Sequence, residues 1–134
     1  HGMNIFNDSK ATNYDAAAVA LEAVPGPIAL LAGGQTKEGN AHGWLELLRK
    51  RASSITLFGR DREMLRTLIL DSGFTGPVSC HIDLVDAVPS AIQAGKQLNA
   101  VSLLLSPACA SFDQYQDFEA RGDHFRKIVN QYPQ

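Results

Sequence analysis

Five residues, scattered over three polar stretches, have the types to hold a polar, anionic ligand: Asp8, Lys10, Thr12, Lys37 and Ser111. In Asp8-Ser9-Lys10-Ala11-Thr12-Asn13, the residues Asp8, Lys10 and Thr12 alternate, so an extended segment sets them on one side. Asp8 can accept from a ribose hydroxyl, Lys10 can face phosphate oxygens, and Thr12 offers a hydroxyl near a helix start. The plain alternative is an Asp–Lys surface pair beside a capping threonine. In Gly33-Gly34-Gln35-Thr36-Lys37, the lysine is a point charge able to hold a carboxylate or phosphate, or else a solvated surface group. This stretch lacks the GxxxxGK[ST] spacing, and the chain has no GxGxxG, so neither a complete phosphate loop nor a dinucleotide fingerprint is present. In Ser106-Pro107-Ala108-Cys109-Ala110-Ser111, small residues let a ligand approach the backbone. Ser111 has no GxSxG elbow or neighbouring histidine, so it reads as a hydroxyl donor and not a nucleophile. Cys109 reads as a small buried apolar residue. Phe112, Tyr115 and Phe118 are spaced for one helical face and default to core packing, and Asp117, Glu119 and Arg121 read as local ion pairs of small consequence.

Other chemistry finds little support. His1, His42, His81 and His124 have no metal-ligand spacing, and no paired carboxylates stand out for acid–base work. The net charge of −2 and dispersed Lys and Arg exclude a field suited to nucleic acid or an anionic membrane. The cluster Arg49-Lys50-Arg51 fits the last turn of a helix. No apolar run reaches the roughly 18 residues that span a bilayer. Cys80 and Cys109, without a signal sequence, suggest a reducing, cytoplasmic compartment and no disulfide.

The elements that must position these residues alternate short apolar runs with helical segments, the pattern of an α/β protein with an open, mostly parallel sheet of about five or six strands and helices on both faces. Strands are expected at Asn4 to Phe6, Ile28 to Ala32, Ser54 to Phe58, Val78 to Cys80 and Asn99 to Leu105. Helices are expected at Tyr14 to Ala23 with Thr12 or Asn13 as cap, Gly43 to Arg51, Arg60 to Ser72 with Met64 inward, Asp83 or Leu84 to Gln97 with Val85 inward, and Gly122 to Tyr132. The three polar stretches all follow strands, so a parallel sheet brings them to one edge, where open α/β sheets receive ligands. Residues 1–3 read as a tag remnant and 4–134 as one domain.

Four segments carry a resemblance: NDSKATN (Asn7–Asn13), LLAGGQTK (Leu30–Lys37), LFGRDR (Leu57–Arg62) and LLSPACASFDQYQDFEARGDHF (Leu104–Phe125). Together, and in this order, they resemble the carboxyl-terminal domain of the MurD-type Mur ligases, UDP-N-acetylmuramoyl-L-alanine:D-glutamate ligases of peptidoglycan synthesis. The resemblance implies a Rossmann-like domain that brings D-glutamate to a three-domain enzyme. The missing domains would hold UDP-N-acetylmuramoyl-L-alanine and, in the central one, ATP and Mg2+. It places Thr12, Lys37, Ser111, Phe112 and Phe118 around D-glutamate, and Asp8 and Lys10 towards the nucleotide, with no catalytic nucleophile or metal ligand in this chain. The isolated domain is then inactive. The competing reading is a stand-alone Rossmann-like anion-binding or interaction module.

Overall fold

The computed structural model describes residues 2–133; His1 of the supposed tag lies outside them. Strands β1 (Asn4–Asn7), β2 (Ile28–Gly33), β3 (Ala52–Phe58), β4 (Val78–His81) and β5 (Ser102–Leu105) alternate with helices α1 (Tyr14–Ala23), α2 (His42–Arg51), α3 (Arg62–Asp71), α4 (Leu84–Gln97) and α5 (Phe118–Gln131). All pairings are parallel, in the order β1-β5-β2-β3-β4.

The central strand β2, IALLAG, is buried at every residue, as a strand covered on both faces must be. Its alternation divides the core. Ile28, Leu30 and Ala32 face a cluster with Leu21, Trp44, Leu48, Leu65 and Ile69 from α1, α2 and α3. Ala29 and Leu31 face the opposite cluster, with Val88, Ile92, Phe125 and Val129 from α4 and α5. Helices therefore cover both faces.

Topology explains why the three polar stretches meet. Strands β1, β5 and β2 are neighbours, so the loops that follow them emerge side by side at the carboxyl edge. After β2 the chain crosses to the α1–α3 face, and after β5 to the α4–α5 face. This divergence creates the crevice where doubly wound sheets take their ligands.

Several local expectations change. Asn13, not Thr12, caps α1, its side chain accepting from the Ala16 amide at 2.8 Å. Helix α5 starts a turn earlier than Gly122 because the Asp117 side chain accepts from the Ala120 amide at 2.8 Å. Met64 and Val85 are exposed; Leu84 and Ala87 take the inward positions of α4. Arg49, Lys50 and Arg51 do lie in the last turn of α2. There Arg51 also closes the end of α1, donating to the Leu21 carbonyl at 2.6 Å and the Val24 carbonyl at 2.5 Å.

Candidate functional site

The loops after β1, β2 and β5 are tied to one another by main-chain hydrogen bonds. Gln35 and Ala110 form a two-way bridge, each amide 2.9 Å from the other's carbonyl oxygen. The Ala108 amide donates to the Ala11 carbonyl at 2.9 Å, and Ala108 takes a positive φ of 61° to do so. Such a backbone persists only where its surroundings determine it. Gly34 packs tightly against the third loop: a β-carbon there would lie 2.4 Å from the Ala110 carbonyl oxygen, and its φ of +127° already suits only glycine.

The ammonium of Lys37 donates to the Thr12 hydroxyl at 3.1 Å, so two of the expected site residues meet across 25 positions of sequence. The pair is exposed, leaving the cation open to a further acceptor. Ser111 is buried, next to the Gln35–Ala110 bridge, and its carbonyl accepts the amides of Gln114 and Tyr115. Among the described residues no hydrogen bond joins Ser111 to Thr12 or Lys37. Phe112 is 69% and Phe118 40% exposed, which overturns the core-packing default. The reason is local: residues 111–117 form turns and bends and Phe118 is the first residue of α5, so Phe112, Tyr115 and Phe118 do not share one helical face.

Asp8 and Lys10 line a cleft of about 590 Å³ with Phe6, Val19, Val24 and Leu104. Lys10 also shares a smaller depression with Phe118. Desolvation raises the Asp8 pKa, against the opposing effects of the hydrogen bond from Ser106 and the charge of Lys10. That hydrogen bond, from the Ser106 hydroxyl, is 3.2 Å long. Burial pushes the Cys109 thiol up to about 12, in keeping with a packing role. The ring Nδ1 of His124 is hydrogen-bonded to the Tyr115 hydroxyl. Among the described residues no group of three or more His, Cys, Asp or Glu is arranged to hold a metal ion. Among the described residues no helix is long and apolar enough to cross a membrane.

A fourth loop, after β3, which carries part of the LFGRDR segment, joins the other three. Asp61 accepts from the Thr36 amide at 2.7 Å and from the Thr36 hydroxyl at 2.9 Å, fixing the residue before Lys37. The neighbouring Arg60 amide donates to Asp113 at 2.9 Å, so the same turn also grips the third loop. An Asp at the end of a strand-loop-helix unit is so often a cap that its sequence gave no sign of this. The hydrogen bond from Arg60, with those from Thr36, lowers the Asp61 pKa from 3.8 to about 2. A depressed carboxylate stabilises the fold above its unfolded pKa, and that contribution fades as pH falls through the folded value. Denaturant titrations should therefore show wild-type stability falling between pH of about 4 and about 2. Asp61→Asn should be less stable near neutrality and lack that acid step; an unchanged acid limb would refute the assignment.

Arg121 is the larger correction. It forms none of the expected surface ion pairs but is fully buried, donating to Ser9 and to the Cys109 carbonyl. Arg121 stands four residues before Phe125 and eight before Val129, on the buried stripe of α5, but its charge argued for a solvated position.

The parallel sheet, the helices on both faces and the loops gathered at a crevice define a Rossmann-like α/β domain. No protein-family model matches the chain. It is 58% identical over 127 residues to the UDP-N-acetylmuramoylalanine–D-glutamate ligase of Parasynechococcus marenigrum, covering 95% of this chain and 28% of that protein. The protein of that name from Synechococcus elongatus is 49% identical over 128 residues, 96% of this chain and 28% of the relative. One from Prochlorococcus marinus is 42% identical over 132 residues, with 98% and 28% covered. The chain belongs to this MurD-type family as a segment corresponding to the carboxyl-terminal domain, and spans little more than a quarter of the length of these relatives.

Proposed function

We propose that this chain is the D-glutamate-binding domain of an ATP-dependent ligase that joins D-glutamate to UDP-N-acetylmuramoyl-L-alanine in cytoplasmic peptidoglycan synthesis. The observation that carries the reading is the Lys37–Thr12 contact, which puts a cation and a hydroxyl from two loops at one exposed point. The names and identities of the relatives support the same substrate.

D-Glutamate carries two carboxylates and needs two anion subsites. In this reading Lys37 and Thr12 take one. Ser111 and the backbone near Phe118 take the other, while the exposed rings of Phe112 and Phe118 wall the carbon chain. The domain's work is to hold the amine in line for attack on an activated carboxylate, so its contribution is positioning and charge complementarity. ATP with Mg2+ supplies the phosphoryl group that activates the alanyl carboxylate, and both are held mainly by parts of the ligase outside this chain. The residues lining the cleft suit a nucleotide edge: Asp8 offers an acceptor, Lys10 a cation, and Phe6 and Val19 an apolar wall.

Mixed with ATP, Mg2+, UDP-N-acetylmuramoyl-L-alanine and D-glutamate, the chain alone should release no phosphate, whereas the longer ligase carrying it should turn over. Steady D-glutamate-dependent phosphate release by the chain alone would overturn this division of labour.

A further inference from the structure

Arg121 sits in the first turns of α5 with no exposed surface. Its three hydrogen bonds all go to loop atoms. Nε donates to the Ser9 hydroxyl at 3.0 Å, Nη2 to the Ser9 carbonyl at 2.7 Å and Nη1 to the Cys109 carbonyl at 3.0 Å. The Ser9 hydroxyl in turn donates to the Phe118 carbonyl at 2.7 Å. The second loop is in contact as well: a β-carbon on Gly34 would lie 3.3 Å from Nη1. One guanidinium thus hydrogen-bonds two of the loops that carry the proposed ligand contacts and lies beside the third. Ser9 stands between Asp8 and Lys10, Cys109 lies two residues before Ser111, and Gly34 lies three before Lys37.

We infer that Arg121 is a positioning residue that holds these three loops in register as one receptor for the D-glutamate dianion, an inference that rests on the function proposed above. Among the described residues no carboxylate forms an ion pair with it. A buried cation hydrogen-bonded only to neutral carbonyls and a hydroxyl, with the Asp113 carboxylate acting on it beyond ion-pair distance, is an expensive way to fill space, and an apolar side chain would serve stability alone better. Burial lowers its pKa to about 10, which leaves it charged near neutrality. The planar fork can donate in several directions from one rigid plane, whereas a lysine ammonium reaches as a single point. Loops gathered in this way keep Lys37 and Ser111 at a fixed separation, as a two-carboxylate ligand requires.

The test is a D-glutamate titration of the wild-type chain, Arg121→Lys and Ser9→Ala, followed by the amide signals of Lys37 and Ser111, with thermal unfolding of each protein alongside. Ser9→Ala removes only the hydroxyl between Arg121 and the Phe118 carbonyl, so it remains informative if Arg121→Lys fails to fold. Folded variants should bind D-glutamate about tenfold more weakly or worse, because displaced contacts lose the ligand geometry. A merely structural arginine lowers the unfolding temperature and leaves the Kd of the folded chain unchanged. Folded variants that match wild-type affinity overturn the role of Arg121 and leave the proposed function standing. A wild-type chain whose signals ignore D-glutamate overturns that function and this inference with it.

Discussion

Replacing Lys37 with methionine should weaken D-glutamate binding roughly 100-fold, since a hydrogen bond to a charged group contributes about 1.5–3 kcal/mol. Methionine keeps much of the length and the apolar stem but removes the charge and all three donors. The Lys37 ammonium has one hydrogen bond in the structure, to Thr12, and that contact is exposed. Its loss should leave fold stability within about 0.5 kcal/mol of wild type, as expected for a surface change outside the core. Thr12→Val should lose less affinity, because it removes a neutral hydroxyl while the ammonium remains. Calorimetric titration of the folded chains checks both. Wild-type affinity in Lys37→Met would remove the anion subsite on which the proposed function stands.

Gly34→Ala should cost at least about 3 kcal/mol of stability, by combining backbone strain with an overpacked contact. The added methyl would meet the Ala110 carbonyl oxygen at 2.4 Å, and that atom is backbone, unable to rotate away. Relief requires the third loop to retreat, breaking the Gln35–Ala110 bridge and drawing Cys109 from Arg121. The φ of +127° adds a conformational cost that alanine bears wherever the neighbours move. Binding should therefore fall together with stability. Urea unfolding measures the first effect; a midpoint close to wild type would show that the loops are not packed as described.

The elements were largely legible because their signals are local. The fully apolar run of β2 and the Asp83 cap of α4 speak for themselves. So does the shared edge for the three loops, which follows from parallel alternation alone. Strand order did not follow. Nothing in the sequence of β5 says that it lies between β1 and β2, yet that placement brings the first, second and third loops together.

The site residues separate in the same way. Thr12 and Lys37 could be named from their types and from the family resemblance, and the structure sets them 3.1 Å apart. The spacing of Phe112, Tyr115 and Phe118 did not mark a core face, because residues 111–117 are not helical and α5 begins only at Phe118. Arg121 and Asp61 were overlooked because a charged side chain is usually solvated. Their importance comes from partners more than 20 positions away, Ser9 for one and Thr36 for the other.

In the proposed site one dianion bridges the Lys37–Thr12 pair and the Ser111 loop. Amide shift mapping of the chain with D-glutamate, with L-glutamate as the control, tests it most directly. Weak but saturable shifts are expected at Lys37, Thr12 and Ser111, following a single Kd, with L-glutamate less effective. Shifts confined to the opposite end of the sheet, around Pro27 and Ala52, or equal responses to both enantiomers, would contradict it.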